Sequence, residues 1–310
     1  MVLTVTLNPA LDKMVRVGTL SVGKETRVQS VSVYAGGKGV NVARALIRLG
    51  VKATASGVAG GANGFTLCEK LAEEKIPYAI LAVPGETRVN VTMVDARENF
   101  SRVIEPGAEI SSLHLAEYRD FFKKEMKKAL KVVISGSLPP GGQPNFYASL
   151  IELAKSAGKE VALDASREAF LEGLKACPDI IKPNCEEAEA ACGFPLNSLK
   201  AIRQALQYFS DQGIKKTLIS LGGEGLAAAD GKDFFMARGP KLKGHAVGSG
   251  DAVLAGFIAA QMRGAEFEES VKFATACGTA NVLNEMPPGN IDHKAVKKFF
   301  TEVVVTRLRK

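Results

Sequence analysis

Residues 131–135 read KVVIS and residues 160–164 read EVALD, and both runs are short and apolar on both faces. Between them, residues 145–157 repeat apolar positions at helical spacing, which predicts a helix that joins two strands. Strands of this kind, alternating with helices, are typical of a parallel sheet covered by helices on both sides. The central third of the chain therefore predicts an α/β fold with a doubly wound, mostly parallel sheet.

The same alternation extends along the chain in both directions. We predict further strands at residues 2–7, 179–182 and 216–220, and further helices at residues 40–49, 167–175, 186–192, 199–212, 251–263, 267–284 and 293–304. Because no internal repeat or low-complexity linker interrupts this order, we expect a single domain over residues 1–310.

The first third of the chain contains a second kind of strand pattern. Residues 14–17, 27–34, 88–94 and 100–104 alternate apolar and polar side chains, which predicts strands with one face in water. These segments break the α/β rhythm, so we assign them to a small accessory sheet, the lid, formed by about residues 12–35 and 87–105. A small sheet with an exposed apolar face usually covers a site or pairs with a second subunit.

The composition excludes several classes of protein. The net charge of +7 suits an anionic small molecule, and it suits nucleic acid or a solvated surface equally, but no nucleic-acid-binding motif accompanies it. Five cysteines without a C-x-x-C pair indicate free thiols in a reducing cytoplasm. The first residues do not resemble a signal peptide, and the longest apolar-rich run, residues 252–262, is too short for a membrane span. We therefore expect a cytoplasmic protein that binds neither nucleic acid nor membrane.

Two stretches hold many of the basic residues. Apolar residues recur between these basic residues at helical spacing, so we interpret both stretches as the solvent-exposed faces of amphipathic helices. The residues are Lys123, Lys124, Lys127, Lys128 and Lys131 in the first stretch and Lys294, Lys297, Lys298, Arg307, Arg309 and Lys310 in the second.

The strongest chemical motif is V-G-S-G-D at residues 247–251, which runs directly into a predicted helix. Its glycines and the helix N-terminus present successive backbone N–H groups, so the motif predicts an anion-binding site. Asp251 is then either a helix N-cap or a base that takes a proton from a hydroxyl beside a bound phosphate. The P-loop pattern G-x-x-x-x-G-K-[ST] occurs nowhere, and no G-x-G-x-x-G follows a predicted strand.

Seven motifs occur in one order along nearly the whole chain. They are N-P-A-L-D (residues 8–12), A-G-G-K-G-V-N-V-A-R (35–44), T-R-V-N (87–90), S-G-S-L-P-P-G (135–141), K-P-N-C-E-E (182–187), S-L-G-G-E-G (220–225) and V-G-S-G-D (247–251). On these motifs the chain resembles the phosphofructokinase B (ribokinase-like) family of sugar kinases, and it is most similar to the 1-phosphofructokinase and tagatose-6-phosphate kinase branch. The resemblance implies ATP and Mg²⁺ as cofactors and a homodimer that forms through the lid.

The resemblance also implies roles for individual residues. Asp251 is implied to be the catalytic base. The glycine motif that contains Gly248, Ser249 and Gly250 is implied to be catalytic as well, with the backbone amides of Ser249, Gly250 and Asp251 offsetting charge on the phosphoryl group. The phosphate already on the sugar needs cations, for which Arg offers bidentate contacts and Lys a point charge. The residues implied or proposed to bind the sugar phosphate are Asp12, Gly36, Gly37, Lys38, Asn41, Arg88, Ser137 and, as a further cation, Lys24.

A second set of residues is implied to bind the nucleotide and the metal. Asn184 and Glu187 are implied to lie beside Mg²⁺, largely through water, although N-x-x-E at a helix start is also nearly a capping box and both roles can hold. Ala252 departs from the family pattern, because Ser or Thr commonly follows the catalytic aspartate. The residues implied to contact the nucleotide are Lys182, Asn184, Ser220, Gly222, Gly223, Gly225, Gly250, Cys277 and Asn281.

The implied reaction is ATP-dependent phosphorylation of a primary hydroxyl on a ketohexose phosphate. Fructose 1-phosphate is the leading acceptor, and the motifs do not separate it well from tagatose 6-phosphate or fructose 6-phosphate. Two alternatives belong to other classes: a sugar-phosphate-binding regulator without turnover, and a dinucleotide-dependent oxidoreductase. Intact Asp251, Asn184 and Glu187 argue against the regulator, and the missing dinucleotide fingerprint argues against the oxidoreductase.

Overall fold

The computed structural model describes residues 1–21, 23–244, 246–284 and 287–308. The strands over these residues are β1 (Val2–Thr6), β2 (Ala10–Val17), β3 (Val28–Gly36), β4 (Ala53–Ala59), β5 (Tyr78–Ala82), β6 (Arg88–Val94), β7 (Phe100–Ile104), β8 (Lys131–Gly136), β9 (Glu160–Ala165), β10 (Ile180–Ile181), β11 (Lys216–Ser220), β12 (Leu226–Ala229), β13 (Phe234–Arg238) and β14 (Val304–Arg307). The α-helices are α1 (Lys38–Arg48), α2 (Gly61–Glu73), α3 (Ser112–Glu125), α4 (Phe146–Ser156), α5 (Glu168–Lys175), α6 (Cys185–Cys192), α7 (Leu199–Asp211), α8 (Ser249–Met262), α9 (Phe267–Val282) and α10 (His293–Glu302).

A large sheet runs through the described part of the chain in the order β14-β13-β12-β11-β10-β9-β8-β1-β4-β5. The neighbours from β11 to β5 pair in parallel, whereas β12, β13 and β14 add antiparallel strands at one edge. The prediction of a doubly wound, mostly parallel sheet is therefore confirmed.

Helices cover both faces of the large sheet. Successive residues of a strand point to opposite faces, so Val2 packs in one core while Leu3 and Val5 pack in the other. The first core lies under α1, α2, α8, α9 and α10, and the second lies under α3 to α7. On the first face α1 packs directly against α8, which brings residues from the starts of these two helices together.

The predicted lid is a separate sheet with the strand order β3-β2-β6-β7. β2 pairs in parallel with β6 and antiparallel with β3, and β7 pairs antiparallel with β6. Several apolar side chains of β3 and β7 are about half exposed, and they are divided between the two faces of the sheet, since the consecutive residues Val103 and Ile104 point in opposite directions. They are Val28, Val31, Phe100, Val103 and Ile104.

The C-terminal end differs from the prediction. α10 ends at Glu302, and the run VVT at residues 304–306 lies in β14 at the sheet edge. β-branched residues favour the extended conformation, which explains why the helical pattern stops here. The placement of Arg307 on a helix face is therefore wrong, and Arg309 and Lys310 lie outside the described residues.

The first basic stretch is only partly helical. Lys123 and Lys124 lie in α3 and Lys131 begins β8, with a short 3₁₀ turn, Met126–Lys128, between them. The hydrophobic pattern also predicts none of β4, α2, β5, β12 and β13. β4 reads ATASGVA and β12 reads LAAA, and such small residues carry little strand propensity. No helix in the described ranges has the length and apolar composition needed to cross a membrane.

Candidate active site

A cavity of about 1450 Å³ lies at the edge of the large sheet where the parallel strands end. Residues that follow β1, β8, β9, β10 and β11 line one side, and lid residues line the other. In doubly wound sheets, ligands bind outside the carboxyl ends of the strands. The cavity is therefore the candidate active site.

Most of the residues predicted from the motifs line this cavity, although they are far apart in sequence. Lys24, Gly36, Cys277 and Asn281 do not belong to its lining. The predicted residues that do are Asp12, Gly37, Lys38, Asn41, Arg88, Ser137, Lys182, Asn184, Glu187, Ser220, Gly222, Gly223, Gly225, Gly248, Ser249, Gly250 and Asp251.

Asp251 lies in the first turn of α8, and Gly248 is the N-cap of that helix. The interpretation of Asp251 as an N-cap is therefore wrong. Its side chain is buried, with 6% of the residue exposed, and its Oδ2 accepts a hydrogen bond of 2.8 Å from Asn41 Nδ2. This bond joins α1 to α8 at the bottom of the cavity.

The surroundings of Asp251 set its ionisation. Burial, and then repulsion from the Asp164 carboxylate, raise the pKa of Asp251 to about 6, although Lys38, Asn41 and Lys182 act to lower it. A carboxyl with this pKa is largely ionised at neutral pH and still has an appreciable affinity for a proton. That combination suits a general base.

Asp164 is a site residue that the motifs did not single out. It is fully buried at the carboxyl end of β9. Lys38 Nζ donates a hydrogen bond of 2.9 Å to its Oδ1, and Lys182 Nζ forms an ion pair of 3.2 Å with its Oδ2. A signal for it exists in the sequence, since EVALD ends an otherwise apolar strand with a charge at the edge where ligands bind.

Lys38 is the first residue of α1 and lies among carboxylates. Its Nζ is 2.9 Å from Asp164 Oδ1 and 3.8 Å from Glu187 Oε1. Burial acts to lower the pKa of Lys38, but Asp164, Glu187 and Asp251 together raise it above its usual value. The ammonium is therefore held in its charged form within the cavity.

The glycine loop at residues 247–251 presents free backbone donors. Gly248 has a φ of 78°, which favours glycine. A Cβ on Gly250 would lie 3.1 Å from Lys182 Nζ, so this ammonium lies beside the helix start. Ser249 N donates to Ala246 O, whereas the N–H groups of Gly250 and Asp251 have no acceptor among the described residues. These two amides, rather than three, are available to an anion.

On the lid side, Asp12 is held by two neighbouring strands. Its Oδ1 accepts a hydrogen bond of 2.8 Å from Asn90 Nδ2 in β6 and lies 3.6 Å from Arg102 Nη2 in β7. A Cβ on Gly36 would lie 2.3 Å from Asp12 Oδ2, so Gly36 makes room for Asp12 instead of lining the cavity. Asn90 and Arg102 line the cavity as well and were not predicted as site residues.

Arg88 begins β6 and is already anchored by backbone oxygens. Its Nη2 donates a hydrogen bond of 2.9 Å to Asn8 O, and its Nη1 donates one of 3.0 Å to Glu105 O. Its Nε is buried without a partner among the described residues, and burial lowers the pKa of Arg88 from its usual value. Ser137 lies close by, with its Oγ 3.3 Å from Asn8 Nδ2. Arg88 and Arg102 therefore place two cations at the lid side of the cavity.

On the opposite side, Asn184 and Glu187 form the start of α6. Asn184 Oδ1 accepts a hydrogen bond of 2.7 Å from Glu187 N, and Glu187 Oε2 accepts one of 2.9 Å from Asn184 N. The capping box anticipated from N-x-x-E is thus confirmed. The other carboxylate oxygen of Glu187 faces Lys38 in the cavity.

The described residues contain no group of three or more His, Cys, Asp or Glu side chains that could hold a metal ion. Mg²⁺ commonly keeps several waters and is held by one or two carboxylates together with nucleotide phosphates. Glu187 Oε1 offers one such carboxylate oxygen beside the cavity. The donors present therefore fit Mg²⁺ that arrives with a nucleotide, and do not fit an ion held by the protein alone.

The turn after β11 exposes bare backbone to the cavity. Gly222 and Gly223 would have no atom within 4 Å of an added Cβ, so a flat ligand can approach this backbone closely. Gly225 has a φ of 109° and packs under Ala237 O. Ser220 Oγ donates a hydrogen bond of 3.3 Å to Pro183 O, which ties this turn to the strand end that carries Asn184.

Besides Gly36, three predicted residues lie outside the cavity lining. Cys277 is fully buried against Gly256, and burial raises the pKa of its thiol. Asn281 Nδ2 donates a hydrogen bond of 2.9 Å to Val247 O, so this side chain supports the glycine loop from behind. Lys24 is exposed in the loop before β3. The residues of α9 that do line the cavity are Thr275, Gly278, Thr279 and Val282.

Comparison with known proteins agrees with this geometry. The chain is similar to a 1-phosphofructokinase of Vibrio cholerae (33% identity, 99% of this chain and 97% of that protein). It is similar to a 1-phosphofructokinase of Xanthomonas campestris (37% identity, 88% of each chain). Its structure resembles the crystal structure of phosphofructokinase-2 from Escherichia coli in complex with fructose-6-phosphate (TM-score 0.90, 30% identity, 97% of this chain and 98% of that one). Residues 5–288 match the family described as pfkB family carbohydrate kinase. The chain therefore belongs to the pfkB family of carbohydrate kinases and is an ATP-dependent sugar kinase.

Proposed function

We propose that this kinase transfers the γ-phosphoryl group of ATP to the free primary hydroxyl of fructose 1-phosphate, forming fructose 1,6-bisphosphate. The observation that carries the transfer chemistry is the buried carboxylate of Asp251 beside the free amides of the glycine loop. The preference for fructose 1-phosphate is supported by the two relatives named 1-phosphofructokinase.

In this proposal Asp251 accepts the proton of the sugar hydroxyl as the hydroxyl oxygen attacks the γ-phosphorus. The new P–O bond forms while the bond from the γ-phosphorus to the bridging oxygen breaks, and ADP leaves with that electron pair. The N–H groups of Gly250 and Asp251 donate to phosphoryl oxygens where negative charge develops. Catalysis then comes mainly from positioning and electrostatics, as phosphoryl transfer generally requires.

We assign Lys38 and Lys182 to the transferred group and the leaving phosphates. Both ammonium groups contact Asp164, so they are held next to the glycine loop instead of at the lid side. Glu187 and Asn184 would hold Mg²⁺ largely through water. When bound, Mg²⁺ neutralises charge on the nucleotide phosphates. The bare backbone of Ser220, Gly222, Gly223 and Gly225 would contact the nucleotide.

We assign the sugar and its existing phosphate to the lid side. Asp12 and Asn90 offer acceptors and donors for sugar hydroxyls, and they are already oriented by their mutual hydrogen bond. Arg88 and Arg102 supply the cations for the phosphate that the substrate carries. The sequence motifs predict that Lys38 binds the sugar phosphate, whereas this proposal assigns Lys38 to the phosphoryl group that is transferred.

Fructose 6-phosphate is the alternative acceptor that a specific observation favours. The Escherichia coli phosphofructokinase-2 structure similar to this chain was solved with fructose-6-phosphate. Either sugar presents a phosphate at one end and a primary hydroxyl at the other, so the two substrates would occupy the cavity in opposite directions. Tagatose 6-phosphate is a further alternative of the same geometry.

The test is ADP release with Mg-ATP, comparing kcat/KM for fructose 1-phosphate, fructose 6-phosphate, tagatose 6-phosphate and free fructose. A clear preference for fructose 1-phosphate supports the proposal, and a preference for a 6-phosphate overturns the choice of sugar. Asp251→Asn is the control, because loss of a general base lowers kcat by roughly 10²–10⁴-fold. Binding of a sugar phosphate without any ADP release would favour the non-catalytic regulator instead.

A further inference from the structure

A buried arginine, Arg44, lies outside the cavity lining but contacts the residue that holds Asp251. It is 3% exposed, and its Nη1 donates a hydrogen bond of 2.9 Å to Asn41 Oδ1, three residues earlier on α1. A guanidinium can only donate, so this contact fixes the oxygen of the Asn41 amide toward Arg44. The nitrogen of the same amide then faces Asp251, to which it donates at 2.8 Å.

Arg44 is itself fixed by contacts from α2 and β3. Its Nε and Nη2 donate to the two carboxylate oxygens of Glu74, at 2.5 Å and 2.9 Å, in a bidentate pair at the end of α2. Its Nη2 also donates to Ala35 O, near the end of lid strand β3. These contacts hold the guanidinium in one orientation. Its hydrogen bond to Asn41 Oδ1 then holds the Asn41 amide in one orientation as well.

A second branch of the same network reaches the glycine loop. Arg44 Nη1 donates a hydrogen bond of 2.8 Å to Pro288 O. The next residue, Gly289, donates from its N–H to Asn281 Oδ1 at 2.9 Å, and Asn281 Nδ2 donates to Val247 O. Arg44 is thus connected to both sides of the reacting centre, the base through Asn41 and the anion-binding loop through Asn281.

We propose that Arg44 is a positioning residue for phosphoryl transfer, which orients the Asn41 amide and thereby holds the Asp251 carboxylate at the glycine loop. This inference rests on the proposed function. The alternative is that Arg44 only joins α1, α2 and β3. In that case its replacement would lower the stability of the protein but would not change the catalytic activity of the molecules that remain folded.

The main test compares Arg44→Lys with Leu46→Ala. Lysine keeps the positive charge but loses the fork that contacts Asn41, Glu74 and Pro288 at once. Leu46 is a fully buried core residue of the same helix, outside the network and the cavity, so its truncation destabilises the protein without touching Asp251. For Arg44→Lys we expect kcat to fall roughly 10- to 100-fold with KM for ATP little changed, because a small misplacement of reacting groups has this cost.

The pH dependence of kcat/KM separates the two roles, because a purely structural role of Arg44 would leave the pKa of Asp251 unchanged. The charged groups that face Asp251 are Asp164, Lys38 and Lys182, and none of them is altered in either variant. Loss of the Asn41 hydrogen bond removes a contact that favours the ionised carboxylate. The acid limb of kcat/KM should therefore move to higher pH in Arg44→Lys and stay in place in Leu46→Ala.

Glu74→Gln covers the case in which Arg44→Lys does not fold, because it leaves the arginine in place and loosens its bidentate anchor. It should change kcat and the acid limb in the same direction by a smaller factor. The pKa of Asp251 can also be followed by carbon NMR of labelled aspartate, assigned with Asp251→Asn, even if no sugar phosphate is turned over. An upward pKa shift in Arg44→Lys supports the proposal independently of the kinase assignment. Wild-type kcat and an unmoved Asp251 pKa in a folded Arg44→Lys or Glu74→Gln protein would overturn it.

Discussion

At the scale of single residues, the burial that makes Asp251 a suitable base also makes its charge costly. The carboxylate is surrounded by protein and repelled by Asp164, while Lys38 and Lys182 offset only part of this cost. The pKa near 6 is the balance of these effects. Replacing any of these neighbours would therefore change the pH at which the enzyme works.

We expect the acid limb of kcat/KM to lie near pH 6, because Asp251 must be ionised to accept the proton of the sugar hydroxyl. A pH–rate profile from pH 4.5 to 9 with the preferred sugar phosphate measures this limb. Lys38→Met should move the limb to higher pH, since Lys38 acts to lower the pKa of Asp251. An acid limb near pH 4 in the wild type would contradict the assignment of the base.

We expect Asp251→Asn to be more stable than the wild type above pH 6. The folded-state pKa is raised above the usual value of 3.8, so the native state binds this proton more tightly than the unfolded chain does. The stability that protonation contributes is full below about pH 4 and is lost as the pH rises to about 6. Asparagine avoids the buried charge, which is worth on the order of 2–3 kcal/mol for this shift. Thermal unfolding at pH 8 and pH 4 should show a gain at the first pH that disappears at the second.

At the scale of elements, the start of α6 combines a helix cap with a candidate metal ligand. One carboxylate oxygen of Glu187 closes the capping box and the other faces the cavity. A capping box tolerates Gln in place of Glu, because the side-chain oxygen of Gln also accepts the backbone hydrogen bond. The two roles can therefore be separated by one substitution.

We expect Glu187→Gln to leave the free energy of unfolding within about 0.5 kcal/mol of the wild type. The same change should raise the Mg²⁺ concentration needed for half-maximal activity roughly 10-fold, in the range typical of weakened metal contacts. Asn184→Ala is the matched variant, because it removes the cap and should cost about 1 kcal/mol. An unchanged Mg²⁺ requirement in Glu187→Gln would show that Glu187 serves the helix alone.

The elements also show what the sequence could and could not predict. Most of the parallel strands and most of the helices follow from hydrophobic periodicity, and the motifs identified many of the cavity-lining residues. β4 was missed because its small residues owe their burial to neighbouring strands and not to their own pattern. Asp164 was missed because its role depends on Lys38 and Lys182, which come from distant segments. Likewise, no pattern shows that Lys38 faces Asp164.

At the scale of the whole molecule, several apolar side chains of the lid are exposed to solvent in the single chain. Val31 of β3 is 49% exposed and Val103 of β7 is 57% exposed. Exposed apolar residues on a small sheet commonly mark an interface with another chain. The resemblance to a family with paired lids supports a second copy of this chain as the partner, and we propose a homodimer on that basis.

We expect Val31→Glu to shift the protein toward the monomer, because it places a charge on the proposed interface. Light scattering after size-exclusion chromatography over a range of concentrations measures the change in mass. Leu113→Glu is the control, since Leu113 is 64% exposed on α3 and lies outside the lid. Equal masses for the wild type and Val31→Glu would contradict a dimer through the lid.

The order of segments around the cavity has a consequence for synthesis on the ribosome. The residues assigned to the sugar and its phosphate lie between Asp12 and Arg102. Apart from Lys38, the residues assigned to ATP begin at Lys182, and the glycine loop is made later still. Translation adds residues from the N-terminus onward, and a domain generally folds as a unit. A nascent chain therefore acquires the acceptor half of its site first and gains Asp251 only when most of the protein exists. A fragment released before residue 251 would lack the proposed base and could not transfer phosphate from ATP.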